Sequence, residues 1–238
     1  MEYVSNLGLA LAVLSLIGLG AAGLGYRCGW WGYKTGISIV KCSGFTSVVA
    51  VAVCLIGVAH SRWKVFPEGM TPALIGLMIS ASVLVLTLKW KRNLDRFPYI
   101  HDITTDTENP PKFDALLPFR VNSENASEYE GPEIARQQLA AYPDLKPIVV
   151  NEPPQTAFTR AVQAAQDMGW SIVDSNPQSL RIEGTDTTLW FGFKDDIVVR
   201  ITPVPTGSWI DVRSVSRVGK SDLGTNARRI EAYLSRMV

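Results

Sequence analysis

The run Ile197-Val198-Val199-Arg200-Ile201-Thr202-Pro203-Val204-Pro205-Thr206-Gly207-Ser208-Trp209-Ile210-Asp211-Val212-Arg213-Ser214-Val215-Ser216-Arg217 decides the fold. Apolar side chains recur there with a period of two on either side of a Pro-Thr-Gly-Ser break. That pattern predicts an antiparallel hairpin with strands over 197–204 and 209–217. With Thr206 and Gly207 at the centre of a tight turn, the register pairs Arg200 with Arg213, Thr202 with Asp211 and Val198 with Val215. Two guanidiniums then face each other, which is destabilising unless something negative lies between or beside them. The candidates are Asp211 on the diagonal, Asp195 or Asp196 from the preceding turn, Asp222 from the following loop, or a bound anion.

Outward from the hairpin, 170–173, 180–184 and 188–193 also read as strands separated by turn residues, giving an antiparallel sheet of four to five strands. A helix over 225–238 carries Ile230, Tyr233, Leu234 and Met237 on one stripe, suited to covering one sheet face. Upstream, Pro153-Pro154 opens a helix with Phe158, Ala161, Val162, Ala165 and Met168 at helical spacing and Gly169 placed to end it. Before that come a short helix over 133–142 stopped by Pro143 and a short strand over 148–150. Pro98, Pro110, Pro111 and Pro118, interleaved with Asp102, Asp106, Glu108 and Asp114, disfavour helix interiors and ladder strands. The domain plan is therefore an acidic, proline-rich extended segment over 93–132 followed by an α+β domain over 133–238.

Residues 1–92 read as a transmembrane region of three helices. Stretches of about 4–25, 37–59 and 71–88 are long and apolar enough to cross a bilayer, which takes roughly 20 residues of helix. The first carries no charge, the second only Lys41 near its start, and the third opens at Pro72. Tyr3, Tyr26, Trp30, Trp31, Tyr33, Trp63, Phe66 and Trp90 mark their ends, as amphipathic aromatics do at headgroup depth. A cleaved leader is not expected, because Met1-Glu2 offers no basic start. Gly18-Leu19-Gly20-Ala21-Ala22-Gly23 has dinucleotide-loop spacing, but inside an apolar helix it reads as close helix packing, with Gly25 and Gly29 adding a small-xxx-small step.

Composition agrees: 47% of the residues are hydrophobic and 19% charged. Positions 1–90 carry net +4 and positions 91–238 net −3. These values exclude a disordered chain and a basic nucleic-acid binder, so no nucleic-acid partner is expected. Cys28, Cys42 and Cys54 all fall in the membrane region without a metal-ligand or redox spacing, so they read as small apolar fillers and no metal or cofactor is implied. Arg27, Lys34, Lys89, Lys91, Arg92 and Arg96 outnumber Arg62 and Lys64, which by the positive-inside rule puts the domain in the cytoplasm.

Three segments then carry a resemblance: Ile100-His101-Asp102-Ile103-Thr104-Thr105-Asp106-Thr107-Glu108-Asn109-Pro110-Pro111, Phe191-Gly192-Phe193-Lys194-Asp195-Asp196, and Asp211-Val212-Arg213-Ser214-Val215-Ser216-Arg217-Val218-Gly219-Lys220-Ser221-Asp222-Leu223-Gly224-Thr225-Asn226. Over roughly 95–238 the chain resembles the bacterial and plastid family called domain of unknown function 1499. The resemblance implies no reaction or ligand. It implies a bacterial inner-membrane protein, and its exported or lumenal members imply an extracytoplasmic domain, which opposes the charge count and leaves the side undecided.

The candidate ligand-binding residues are Arg200, Arg213, Arg217, Lys220, Ser221, Asp195, Asp196, Asp211 and Asp222. Arg217 shares a strand face with Arg213 and Asp211 and leads into Gly219-Lys220-Ser221-Asp222-Leu223-Gly224, a loop opening the last helix. Free N–H groups at a helix start and arginine forks together favour phosphate, sulfate or carboxylate. The competing reading is an internal ion-pair network of Asp195, Asp196, Asp211 and Asp222 with the arginines, Ser221 or Thr225 serving as helix cap. No catalytic residue is assigned, since His101 is the domain's only histidine and Asp195-Asp196 reads as a solvated turn pair. The expected function is a membrane-anchored binding or accessory module meeting an anionic ligand, a lipid headgroup or a membrane protein partner. The alternatives are a membrane-tethered hydrolase with Asp195 or Asp196 as base and the arginines as anion stabilisers, and a purely structural subunit of a membrane complex.

Overall fold

The computed structural model describes residues 2–61 and 69–238. Arg62, Trp63, Lys64 and Phe66, invoked above for loop charge and interfacial anchoring, lie outside the described residues. In chain order the elements are α1 (Glu2–Arg27), α2 (Tyr33–Ser61), α3 (Met70–Arg96), β1 (Asp102–Thr104), α4 (Leu117–Arg120), α5 (Pro132–Ala141), β2 (Ile148–Val150), α6 (Pro154–Asp167), β3 (Ser171–Asn176), β4 (Arg181–Thr187), β5 (Lys194–Val204), β6 (Gly207–Ser216) and α7 (Thr225–Leu234). They form two compact units, one of residues up to Asn93 with Trp190–Gly192, the other of Leu94–Leu189 with Phe193–Val238.

In the first unit α1, α2 and α3 are each long and apolar enough to cross a membrane. Large apolar side chains such as Leu14, Ile17, Phe45, Ile56 and Met78 turn outward, while small residues sit where helices meet. A Cβ on Gly8 of α1 or on Gly76 of α3 would come within 2.7 Å of the Cys54 sulfur of α2, so the buried thiol occupies a notch opened by two glycines. Gly18, in the stretch with dinucleotide-loop spacing, meets the Ser43 hydroxyl of α2 in the same way. The stretch lies inside α1 and serves packing.

The second unit is an α+β domain built on an antiparallel sheet, with strand order β1-β6-β5-β4-β3 and β2 pairing beside β1 on β6. The sheet has six strands rather than four to five: 188–193 is not one of them, while β1, from the proline-rich segment read as extended, and β2 both pair with β6. One face carries Ile182, Ile197, Val199, Ile201, Ile210 and Val212, which form the main core with α6 and α7. Trp170 stacks on Tyr233 there, with ring centroids 4.8 Å apart. Pro154 opens α6, and Gly169 ends it with a φ of 75°.

Both sheet edges are finished off. On β1 the side chain of Gln138 imitates a strand: the Thr104 N–H donates to its Oε1 at 2.9 Å, and its Nε2 donates to the Thr104 carbonyl at 2.6 Å. On β3 the register breaks between Ile172 and Asp174, a bulge that blunts the free edge.

Two expectations are corrected. The hairpin closes at Val204↔Gly207 with Pro205 and Thr206 as its centre, so Arg200 pairs with Asp211, Thr202 with Trp209 and Val198 with Arg213. Proline has no N–H for a ladder and its fixed φ suits the first central turn position, which moves the turn one residue toward the N-terminus and every pair by two. Residues 188–193 form a loop rather than a strand. The Thr188 N–H donates to the Phe193 carbonyl at 2.8 Å, and Gly192 takes a φ of 73°. Asp195 and Asp196 therefore begin β5 instead of sitting in a turn, and both are buried.

The glycine notch yields a sharp contrast. Gly76→Ala brings a methyl within 3.0 Å of the Leu9 Cα as well as onto Cys54, whereas nothing lies within 4 Å of a Cβ at Gly20. Thermal unfolding of the full chain in mild detergent should show Gly76→Ala destabilised by about 1–3 kcal/mol, and Gly20→Ala unchanged or slightly stabilised. Equal midpoints for the two variants would contradict the notch.

Candidate functional site

The second sheet face is charged and almost wholly enclosed. Strand alternation places Glu183 and Thr185 of β4, Asp196, Val198 and Arg200 of β5, and Asp211, Arg213 and Val215 of β6 on it. Residues 105–130 cross this face as a strap. Phe113 and Leu116 bury themselves against Val198 and Val215, forming a second, small apolar core.

Ions hold the strap down. The Arg213 guanidinium, 1% exposed, forms a two-pronged bond to Asp102, Nε to Oδ1 at 2.9 Å and Nη2 to Oδ2 at 2.7 Å. Its remaining donors reach strap carbonyls, Pro111 at 3.2 Å and Ser127 at 2.9 Å, and its plane lies over the rings of Phe113 and Tyr129. Burial raises the Asp102 carboxyl above its usual range, opposed by the hydrogen bond from Arg213. Glu183, equally buried, receives the strap amides of Asp114 and Leu116 at 2.8 and 2.9 Å and the fork of Arg181.

Asp196 has no exposed surface and is the centre of the next cluster. Arg217 donates to both its oxygens at 2.8 Å, Arg120 from α4 donates at 2.7 Å, and the Thr185 hydroxyl at 2.7 Å. Arg120 also binds the carbonyls of Asn125 and Ala126, fixing the far end of the strap. Arg200 donates to its register partner Asp211 at 3.1 and 2.9 Å, and through Nη2 to Asp106 and the Asn109 carbonyl.

The nine candidate residues thus fall into three places. Arg200, Arg213, Arg217, Asp196 and Asp211 share the strapped face, although Arg200 and Arg213 do not pair. Asp195 points through the sheet to the α7 side, where Arg229 binds it at 2.7 Å and Asp186 at 2.8 Å. Burial raises the Asp195 carboxyl, and the Arg229 charge lowers it. Arg229 also donates to Asn226, which ties Ser214, Ser216 and the His101 carbonyl to α7.

Lys220, Ser221 and Asp222 stand apart in the loop before α7. Lys220 is exposed, and the Ser221 hydroxyl donates to the Pro98 carbonyl at 3.2 Å. Among the described residues Asp222 forms no ion pair with an arginine. Its Oδ1 accepts the Gly224 N–H and its Oδ2 the Asn226 N–H, both at 2.8 Å, so its own carboxylate caps α7 in place of Ser221 or Thr225. The helix start expected to attract an anion already holds one.

Sequence reasoning missed Asp102, Glu183, Arg120, Asp106 and Arg229. Apart from Arg181 and Glu183, which alternate on one strand, each meets its partner across a long sequence separation or a non-strand segment, where periodicity gives no signal. Asn226 and Arg229, three apart on a helix read for its apolar stripe, were the one pair that helical spacing could have brought forward.

The family model described as protein of unknown function (DUF1499) matches residues 102–237. The chain belongs to this family. The DUF1499 match opens at Asp102, the partner of Arg213, and takes in the strap, both faces of the sheet and α7. Among curated proteins nothing matches the chain.

The cap of α7 carries a pH signature. Asp222 keeps an exposed edge, but its carboxyl is enclosed, and burial pushes it up from 3.8 to about 6 against the two backbone N–H bonds. A folded value above the unfolded one means the folded state holds the proton more tightly. The associated stability is complete below about 3.8 and is lost as pH rises through about 6. Denaturation midpoints of the full chain between pH 4 and 7 should show this decline, and Asp222→Asn should flatten it. An unchanged slope in the variant would refute the assignment.

Proposed function

We propose that this DUF1499 protein is a membrane-anchored binding or accessory module whose buried charges serve as its frame, leaving recognition of an anionic ligand, a lipid headgroup or a membrane protein partner to its exposed parts. One observation carries the reading: the hydrogen-bonding capacity of Arg213 and Asp196 is spent on the strap and on each other's neighbours. Substrate recognition through these two groups would require the strap to leave.

The same observation weighs against the hydrolase reading. A general base must come within hydrogen-bond reach of the proton it removes. The Asp196 carboxylate already accepts from Arg120, Arg217 and Thr185, and Asp195 lies on the opposite sheet face beneath Arg229. Of the nine candidates, Lys220 and Ser221 remain the groups best placed to meet a ligand, and Arg217 keeps a partly exposed edge of its own.

Asp196→Asn separates the two readings. In a frame it leaves two arginines short of a carboxylate, and the full chain in detergent should unfold with a loss of about 3–5 kcal/mol. Intact stability, together with loss of a hydrolytic turnover that the unaltered chain displays, would overturn the module reading.

A further inference from the structure

Among the described residues three guanidiniums of the second unit, Arg96, Arg228 and Arg236, form no ion pair; Arg236 donates to the Ala232 carbonyl of α7, and the other two share one aromatic ring. Arg96, the last residue of α3, lies over the Phe97 ring at 5.6 Å from its centroid, and Arg228 of α7 lies over the same ring at 5.3 Å. Both arginines are exposed. Among the described residues neither forms an ion pair, whereas Arg120, Arg181, Arg200, Arg213, Arg217 and Arg229 each hold a carboxylate.

The arrangement is built rather than incidental. Arg228 donates to the Thr225 hydroxyl at 3.3 Å, which fixes its head without neutralising it. Gly224, in the left-handed region at a φ of 73°, lets the ring and the guanidinium lie against the start of α7. A Cβ there would meet Phe97 at 2.6 Å and the Arg228 Nη1 at 3.0 Å. Neighbouring loop atoms brace the segment: Ser221 bonds the Pro98 carbonyl, and the Asp222 N–H bonds the Ile100 carbonyl. Two like charges on one ring are separated by no more than their two centroid distances combined, which is comparable with a Debye length at physiological salt. They repel one another, and an anion bridging them removes that repulsion.

We infer that Arg96 and Arg228, braced on Phe97, form a seat for a phosphate-bearing anion. The inference rests on the binding-module reading and gives it a ligand class. Arginine forks match phosphate oxygens, and a flat aromatic support limits the entropy lost on binding. The position points to a lipid phosphodiester as the source. Arg96 lies eight residues beyond Leu88 on one continuous helix, about 12 Å along its axis. Lys89 and Arg92 precede it on the same helix, so further cations follow the apolar stretch in sequence.

The test uses the full chain in nanodiscs of phosphatidylcholine with increasing phosphatidylglycerol, and separately in pure phosphatidylcholine with inorganic phosphate. Arg96→Gln, Arg228→Gln, the double variant and Arg136→Gln, an exposed cation elsewhere, are compared. The seat predicts a saturable rise in thermal midpoint with phosphatidylglycerol, weakened about fivefold by each single substitution and abolished in the double, with Arg136→Gln unaffected. The Arg96, Arg228 and double variants should lie near the unaltered chain in pure phosphatidylcholine, since neither arginine carries an ion pair, and Arg136→Gln loses only an exposed pair with Glu133 that is worth little. A saturable response to inorganic phosphate alone, lost in the double variant, supports the seat and assigns it to a free anion. A double variant that responds like the unaltered chain, or an unaltered chain that responds to neither, overturns the seat. That failure leaves the frame reading standing, because Asp196→Asn tests it independently.

Discussion

The bond between Arg213 and Asp102 is the constraint on which the domain depends. A guanidinium and a carboxylate, each about 1% exposed, meet in the middle of a sheet face. Desolvating them costs several kcal/mol per ion before any contact is made. The cost is bearable only if every donor finds an acceptor, and the strap supplies those acceptors in the carbonyls of Pro111 and Ser127. The strap in turn has little apolar surface of its own beyond Phe113 and Leu116. Ion and strap therefore require each other, and Glu183 and the Asp196 cluster repeat the pattern along the sheet. The opposite face follows the ordinary rule of a hydrophobic core under two helices. Charge reaches that side where Arg229 binds Asp195 and Asp186.

This division of labour explains what the sequence made legible. The three long apolar helices, the alternating strands, α6 between Pro154 and Gly169 and the stripe of α7 follow from local periodicity, and periodicity survives in the folded chain. The strap does not advertise itself. Asp102-Ile103-Thr104 is too short and too polar to read as a strand, and it is one only because β6 offers Arg213 opposite Thr104. The register error had a single cause, a proline assigned to the ladder instead of the turn. Its consequence was large, since a two-residue shift turned a complementary Arg200–Asp211 pair into an apparent clash of arginines that called for a bound anion. Asp195 and Asp196 read as a solvated turn because the loop closed by Thr188 and Gly192 has the alternation of another strand.

The corrected register relocates the search for a ligand. The charged face has no guanidinium left over, and the anion seat at the start of α7 is filled by Asp222. The cations without an ion pair are peripheral, among them Lys220 in the loop and Arg96 and Arg228 over the Phe97 ring. The membrane helices add a different economy. They use glycine, serine and a buried thiol to bring backbones together, as expected where no hydrophobic effect drives helix association.

The most direct measurement is amide hydrogen exchange on the full chain in detergent with Arg213→Met, which keeps side-chain bulk and removes the charge. If Arg213 fastens the strap, protection should fall across 105–130 while β4 and β5 retain most of theirs. Unchanged protection in the strap would contradict the account and return Arg213 to the list of groups available for a ligand.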